Sequence, residues 1–186
     1  THFAVTDLPN RALFLALLDQ HISHRHRRQP WGLMVIRIET LQEANGVLSD
    51  EQRDTLMLTL VEKIRSTVDD HTLLAQTGPS DFALLMKRAH NPFRAMRLAR
   101  NLMIRINQPV NLHQLQLRPN ASIGLALHDD DLVSAGEQLD RATSAMMSAR
   151  HQGKNQVLFF DPALTERAQN RLTQEHDILQ GLQDDQ

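Results

Sequence analysis

The sequence predicts an α+β protein, an α/β sandwich in which helices pack on the faces of one mixed sheet. Three observations predict it. Stretches with helical spacing of apolar residues alternate with short strand-like runs, the pattern of a sheet covered by helices. Gly78-Pro79-Ser80 separates two apolar runs and marks a β-hairpin. The 186 residues, 41% hydrophobic and 23% charged, suffice for one well-buried core and are tight for two.

Leu8-Pro9-Asn10-Arg11 opens the first helix, with Pro9 in its first turn, and Leu13, Leu17, Leu18 and Ile22 recur at helical spacing. The pattern ends in His24-Arg25-His26-Arg27-Arg28 before Pro30. After Gly32, the run Leu33-Met34-Val35-Ile36-Arg37-Ile38 predicts a central strand. An amphipathic helix over 50–68 places Leu56, Leu60 and Ile64 on one face. Leu73-Leu74-Ala75 and Phe82-Ala83-Leu84-Leu85-Met86 are the two hairpin strands. Asn91 caps the next helix, Pro92 lies in its first turn, and Phe93, Met96, Ala99, Met103 and Ile106 form its buried stripe. Leu115 with Leu117, and then Ile123, Leu125 and Leu127, alternate with polar or small neighbours. They predict two half-buried strands around Arg118-Pro119-Asn120. A small-residue helix from Leu139 to His151 stops at Gly153, and a strand follows over 157–160. The last helix runs from Leu164 through Leu182, with Leu164, Ala168, Leu172, Leu179 and Leu182 on one seam.

Composition excludes several functions. Without cysteine there is no disulfide, thiolate zinc site or cysteine nucleophile. A net charge of −2 lacks the basic footprint of a nucleic-acid partner. No apolar run is long enough to cross a bilayer and no signal peptide is visible, so no direct membrane contact is expected of this stretch. The chain starts at Thr1 and ends within a helical pattern, so a longer parent is expected. His21, His24 and His26 raise the question of a metal, since positions three apart on a helix can chelate, but no carboxylate or cysteine completes a set nearby, and a solvated helix end is the reading. Asn120-Ala121-Ser122 has the form of a glycosylation sequon but opens a strand.

Thr6-Asp7-Leu8-Pro9-Asn10-Arg11, Gly32 to Leu41, the pair Asn45 and Asp54, Gly78-Pro79-Ser80-Asp81-Phe82, Asn120 to Ala126, Ala142 to Val157, and Phe159-Phe160-Asp161-Pro162 follow one another in one register. Together they resemble a GGDEF domain, the fold of the diguanylate cyclases. Its matching motifs are LTGLPNR, the strand LLLIDIDxF, a spaced Asn and Asp, the GGDEF signature, TASIGVA, ADxALYxAKxxGRNxV and a closing strand. The resemblance implies a nucleotide-cyclase, palm-like domain over 1–162 with a mixed five-stranded sheet flanked by helices. Residues 163–186 are similar to the linker helix that leads to an EAL phosphodiesterase domain.

Cyclising two GTP molecules is phosphoryl transfer, in which divalent metals and cationic groups offset the charge of the transition state. The family holds Mg²⁺ with the first Asp of the strand-one DxD and the acidic third residue of GGDEF. The matching positions here are Arg37 and Ser80. A guanidinium about 4 Å from a divalent ion is repelled by roughly 8 kcal/mol at an effective dielectric near 20. Mg²⁺ binding is therefore expected to be lost or weak, and no cofactor is expected. Pro79 replaces the second glycine, fixing φ and removing an amide hydrogen. Asp81 and Phe82 survive, yet the segment from Gly78 reads as a serviceable β-turn with no catalytic or metal-binding residue.

The nucleotide side is better kept. Asn45 and Asp54 match positions that read the guanine edge, and Arg150 and Lys154 match basic residues facing the triphosphate. Each residue also suits a plain role in a turn, on an exposed helix or at a solvated helix end. Arg37 can itself fork onto phosphate. The family's inhibitory product site, R-x-x-D, falls on Asp69-Asp70-His71-Thr72 and is not matched.

The resemblance thus implies a catalytically inactive, degenerate GGDEF domain in bacterial cyclic di-GMP signalling of the kind that governs biofilm formation. It is expected to bind GTP, form a homodimer and control an adjacent EAL phosphodiesterase through the C-terminal helix. Its expected location is the cytoplasm, with a parent that can be anchored in the bacterial inner membrane. The alternatives are a weak diguanylate cyclase with a rearranged metal site, and a dimerisation scaffold without ligand.

Overall fold

The computed structural model describes residues 1–24, 29–88, 91–128 and 133–184. Its central sheet has the order β2-β3-β1-β6-β7, built from β1 (Gly32–Ile38), β2 (Thr72–Gln76), β3 (Asp81–Met86), β6 (Ala121–Leu127) and β7 (Val157–Phe159). All neighbours are antiparallel except β6 and β7. This is the mixed five-stranded sheet the resemblance implies.

Alternation along β1 sends side chains to two cores. Leu33 and Val35 pack in a cluster with Phe14 and Leu18 of α1 (Arg11–His24) and Leu139 and Met146 of α5 (Ala135–Gln152). Met34, Ile36 and Ile38 pack instead with Leu56, Leu60 and Ile64 of α3 (Asp50–Thr67) and Met96 and Leu102 of α4 (Pro92–Asn107). Because both faces are covered, β1 reads as a continuous apolar run. Gly124 on β6 is required by packing: a Cβ there would overlap the α5 backbone at Ala142 and Met146.

Several expectations are corrected. The first helix begins at Arg11, and Asn10 caps it by accepting from Leu13 N at 3.0 Å. Pro9 lies before the cap, and its carbonyl accepts from Gln76 N at 2.9 Å, tying the opening turn to β2. The run from Gly32 to Leu41 is not all strand, because Glu39–Glu43 forms a short helix, α2. Leu115–Leu117 is strand β5, but it pairs in a separate ribbon with a strand the sequence pattern missed, β4 (Val110–Leu112). Strand β6 is not half-buried: from Ala121 to Ala126 it is buried throughout.

Helix α5 starts four residues earlier than the apolar spacing suggested, because Ser134 and Glu137 form a capping box. The last strand ends at Phe159, leaving Phe160 47% exposed. The final helix, α6 (Pro162–Asp184), buries Thr165 and Ala168, while Leu179 and Leu182 of the proposed seam are exposed. Phe93 leaves the buried stripe of α4 and meets the guanidinium groups of Arg97 and Arg171, 4.8 and 4.3 Å from its ring centroid. Arg25, His26, Arg27 and Arg28 lie outside the described residues, so the proposed histidine set is only partly in view. Among the described residues no cluster of three His, Cys, Asp or Glu could hold a metal ion, and no helix is long and apolar enough to cross a membrane.

Candidate functional site

The register of three strands assembles the site. Arg37, near the end of β1, lies opposite Asp81 of β3 on one side and Ser122 of β6 on the other. Directly opposed residues project to the same face of a sheet, so strand pairing alone brings these groups together. The guanidinium forks onto the carboxylate, Nε to Oδ1 at 2.8 Å and Nη2 to Oδ2 at 2.9 Å. Its Nη1 points to the Met147 sulfur at 3.4 Å. The Asp81 hydrogen bonds raise the Arg37 pKa above its ordinary value, outweighing desolvation, with smaller help from the Asp81 and Glu39 charges.

Glu39 completes the layer, and sequence reasoning missed it. It is 8% exposed; its Oε1 accepts from Ser122 Oγ at 3.1 Å, and its Oε2 lies 3.2 Å from Arg150 Nε. The signal was present, since Glu39 follows Arg37 by two residues and period-two spacing keeps both on one side of the chain. Its backbone is fixed by Glu39 N donating to the Asn120 carbonyl at 2.8 Å. The result is an alternating row, Asp81, Arg37, Glu39, Arg150, in which each charge has an opposite neighbour.

The hairpin supports this row. Thr77 N donates to the Asp81 carbonyl at 3.0 Å across the turn. Ser80 is buried at 9% exposure, and its carbonyl accepts from Ile38 N at 2.8 Å, which carries β3 pairing past Arg37.

The remaining predicted residues join none of these contacts. Asn45 uses its side-chain oxygen to accept from Arg53 Nη1 at 3.2 Å, and the same nitrogen donates to the Leu41 carbonyl at 2.8 Å. Asp54, next to Arg53 on α3, is exposed. Lys154 is exposed in the turn between Gly153 (φ 138°) and Asn155 (φ 58°), and among the described residues it joins no ion pair. Asn155 anchors that turn by accepting from Asn107 Nδ2 and Ala121 N, each at 3.0 Å. At the unmatched inhibitory position, Asp69 Oδ1 accepts from His71 N at 2.9 Å and Thr72 Oγ1 at 3.1 Å, so Asp69 and Thr72 bind each other.

The donor set does not suit a divalent cation. Mg²⁺ requires near-octahedral oxygen ligation. The two carboxylates here, Asp81 and Glu39, each face a guanidinium, and Arg37 would have to be displaced before both could share an ion.

The family of diguanylate cyclase GGDEF domains matches residues 2–156, and the chain belongs to it. Among characterised relatives it is 32% identical over 183 residues to MucR of Pseudomonas aeruginosa, a bifunctional diguanylate cyclase/cyclic di-GMP phosphodiesterase, covering 98% of this chain and 27% of MucR. It is 28% identical over 184 residues to NbdA of the same organism, a cyclic di-GMP phosphodiesterase, of which it covers 23%. The chain thus spans about a quarter of the length of both relatives. The fold matches the GGDEF domain of Pseudomonas aeruginosa TpbB with a TM-score of 0.78 at 24% identity, covering 91% of this chain and 99% of that one. An EAL/GGDEF domain protein from M. capsulatus matches at a TM-score of 0.70 and 28% identity, over 83% of this chain and 100% of that one.

Proposed function

We propose that this chain is a non-catalytic GGDEF domain that regulates an adjacent EAL phosphodiesterase in cyclic di-GMP signalling. The observation that carries the reading is the bidentate Arg37–Asp81 pair at the place where the family's resemblance calls for metal-binding carboxylates. An immobile cation bonded to Asp81 supplies charge but offers no open coordination positions, and it cannot polarise a departing pyrophosphate as a metal does. Mg²⁺ binding is lost or weak on this reading. The relation to MucR and NbdA supports the phosphodiesterase context.

The ligand of this module is GTP, bound without metal. Asp54 is open to solvent for guanine N–H groups, and Lys154 is exposed and, among the described residues, in no ion pair, so its charge is available to phosphate. Arg150 has to leave Glu39 to reach a phosphate, so binding and release of that pair are linked. A ligand shifts regulation only through different affinities for two arrangements of the parent. Dimerisation and the C-terminal helix α6 transmit that difference in this account.

A ligand-free scaffold is the second reading, favoured by one specific observation: Arg150 and Asn45, two of the proposed nucleotide contacts, already have protein partners. The test is phosphodiesterase rate in the full-length parent with and without GTP, alongside nucleotide titration of the domain. The regulatory reading expects saturable GTP binding and a changed rate. Absence of both at millimolar GTP leaves the scaffold.

A further inference from the structure

A cavity of about 720 Å³ lies at the opposite end of the sheet from Arg37. Ser122 faces Arg37, whereas the cavity wall is formed by Leu125 to Leu127, which face the far end of β1 at Met34 to Gly32. It therefore opens at the carboxyl ends of β6 and β7, the parallel pair of the sheet. The volume falls within the range that encloses small molecules.

The lining has two chemical parts. Leu125, Phe159 and Leu164 supply apolar surface. Phe160 adds an aromatic ring that is 47% exposed, with the Arg141 guanidinium carbon 5.6 Å from its centroid. Arg167 projects from the start of α6 into the same lining. Among the described residues neither Arg141 nor Arg167 joins an ion pair. Among the described residues the wall holds one carboxylate, Asp161, which accepts from Ala163 N at 3.0 Å at the start of its own helix.

We propose that this cavity binds a small anion carrying a flat aromatic body. The ring lies against Phe160 and the apolar wall, and the anionic group meets the guanidinium groups of Arg141 and Arg167. Guanidinium suits this role because its planar fork matches two oxygens of a carboxylate, sulfonate or phosphate while its face stacks on aromatic rings. The site is separate from the Arg37 layer, so it stands or falls independently of nucleotide binding there.

The probe is 1-naphthalenesulfonate, with uncharged 1-naphthalenemethanol as its partner, titrated into the ¹⁵N-labelled domain and followed by amide shifts. Saturable shifts are expected over Leu125 to Leu127 and Phe160 to Arg167. Arg141→Gln and Arg167→Gln should each weaken the sulfonate about tenfold, the scale of one lost charged hydrogen bond, and leave the alcohol within about twofold. Arg167 is exposed, so its replacement is expected to leave the fold intact and keeps the test usable should the Arg141 variant misfold. Non-saturable shifts, shifts centred on Asn45, Asp54 or Arg150, or equal weakening of both probes would overturn the proposal.

Discussion

Arg37 and Asp81 face each other across β1 and β3 and share two hydrogen bonds, at 2.8 and 2.9 Å, with side chains only 18% and 23% exposed. The pair joins the hairpin to the centre of the sheet, so it matters for stability as well as for chemistry. Removing one partner from a buried pair strands the other charge. Arg37→Ala should destabilise the domain by about 2–3 kcal/mol, less than for a fully enclosed pair. The double variant Arg37→Ala with Asp81→Ala should recover part of that loss. Urea unfolding of the four members of the cycle gives the coupling; a coupling near zero would show that the two hydrogen bonds contribute nothing net.

Lys63 is a buried cation, and it staples α3 to the end of α4. Its Nζ donates to the Gln108 carbonyl at 2.7 Å and the Ile106 carbonyl at 3.4 Å. Burial, and then the Arg105 charge, hold its pKa below the ordinary lysine value. Between the lowered and the ordinary value the unfolded chain binds more protons than the folded one, so this contribution to stability rises with pH through that window. Lys63→Met should cost about 1–2 kcal/mol near neutrality through the lost hydrogen bonds. The stability gap between wild type and variant should widen towards about pH 10. A gap that narrows there contradicts the assignment.

Nucleotide selectivity should depend on Asp54. Asp54→Ala should weaken guanine nucleotides more than adenine ones, because it removes an acceptor for the guanine N–H groups. Affinity for GTP should depend little on Mg²⁺ and fall with added salt, since phosphate then relies on Lys154, Arg150 and Arg37. Calorimetry with GTP and ATP in EDTA, repeated with Mg²⁺, checks both points. A large gain on adding Mg²⁺ would show that a metal still binds with the nucleotide.

Cyclic di-GMP should not occupy the turn at 69–72. Asp69 and Thr72 replace the Arg and Asp of the family's inhibitory motif and bond to one another. Lys87, Arg88 and Arg94 line the cleft beside that turn, so weak, salt-sensitive attraction of phosphate is expected there, without a stoichiometric site. Calorimetry showing one tight, saturable equivalent would contradict this.

Much of the architecture was legible in the sequence because long, well-spaced apolar faces dominate it. The elements lost were those governed by a few local groups. Strand β4 has three residues, Val110, Asn111 and Leu112, too few to display a period. The start of α5 was readable in Ser134 and Glu137, but apolar spacing drew attention to Leu139 instead. The site was less legible for a different reason. Arg37 and Asp81 lie 44 positions apart, and only the register of β1 against β3 places them opposite one another. Glu39 was hidden by reading the strand as an apolar run, although its neighbour Arg37 was already singled out. Asn45 and Arg150 were correctly noticed as polar groups, but spacing along a chain could not reveal that Arg53 and Glu39 already engage them.

The most direct test of the central claim is a cyclase assay. The domain, and its full-length parent, are incubated with GTP and either Mg²⁺ or Mn²⁺, and cyclic di-GMP is measured. No product is expected. The double substitution Arg37→Asp with Ser80→Glu should also remain inactive while Pro79 holds the turn. Turnover by the unaltered domain that disappears in Asp81→Ala would contradict the account, because it would show a working metal site where Arg37 and Asp81 are joined.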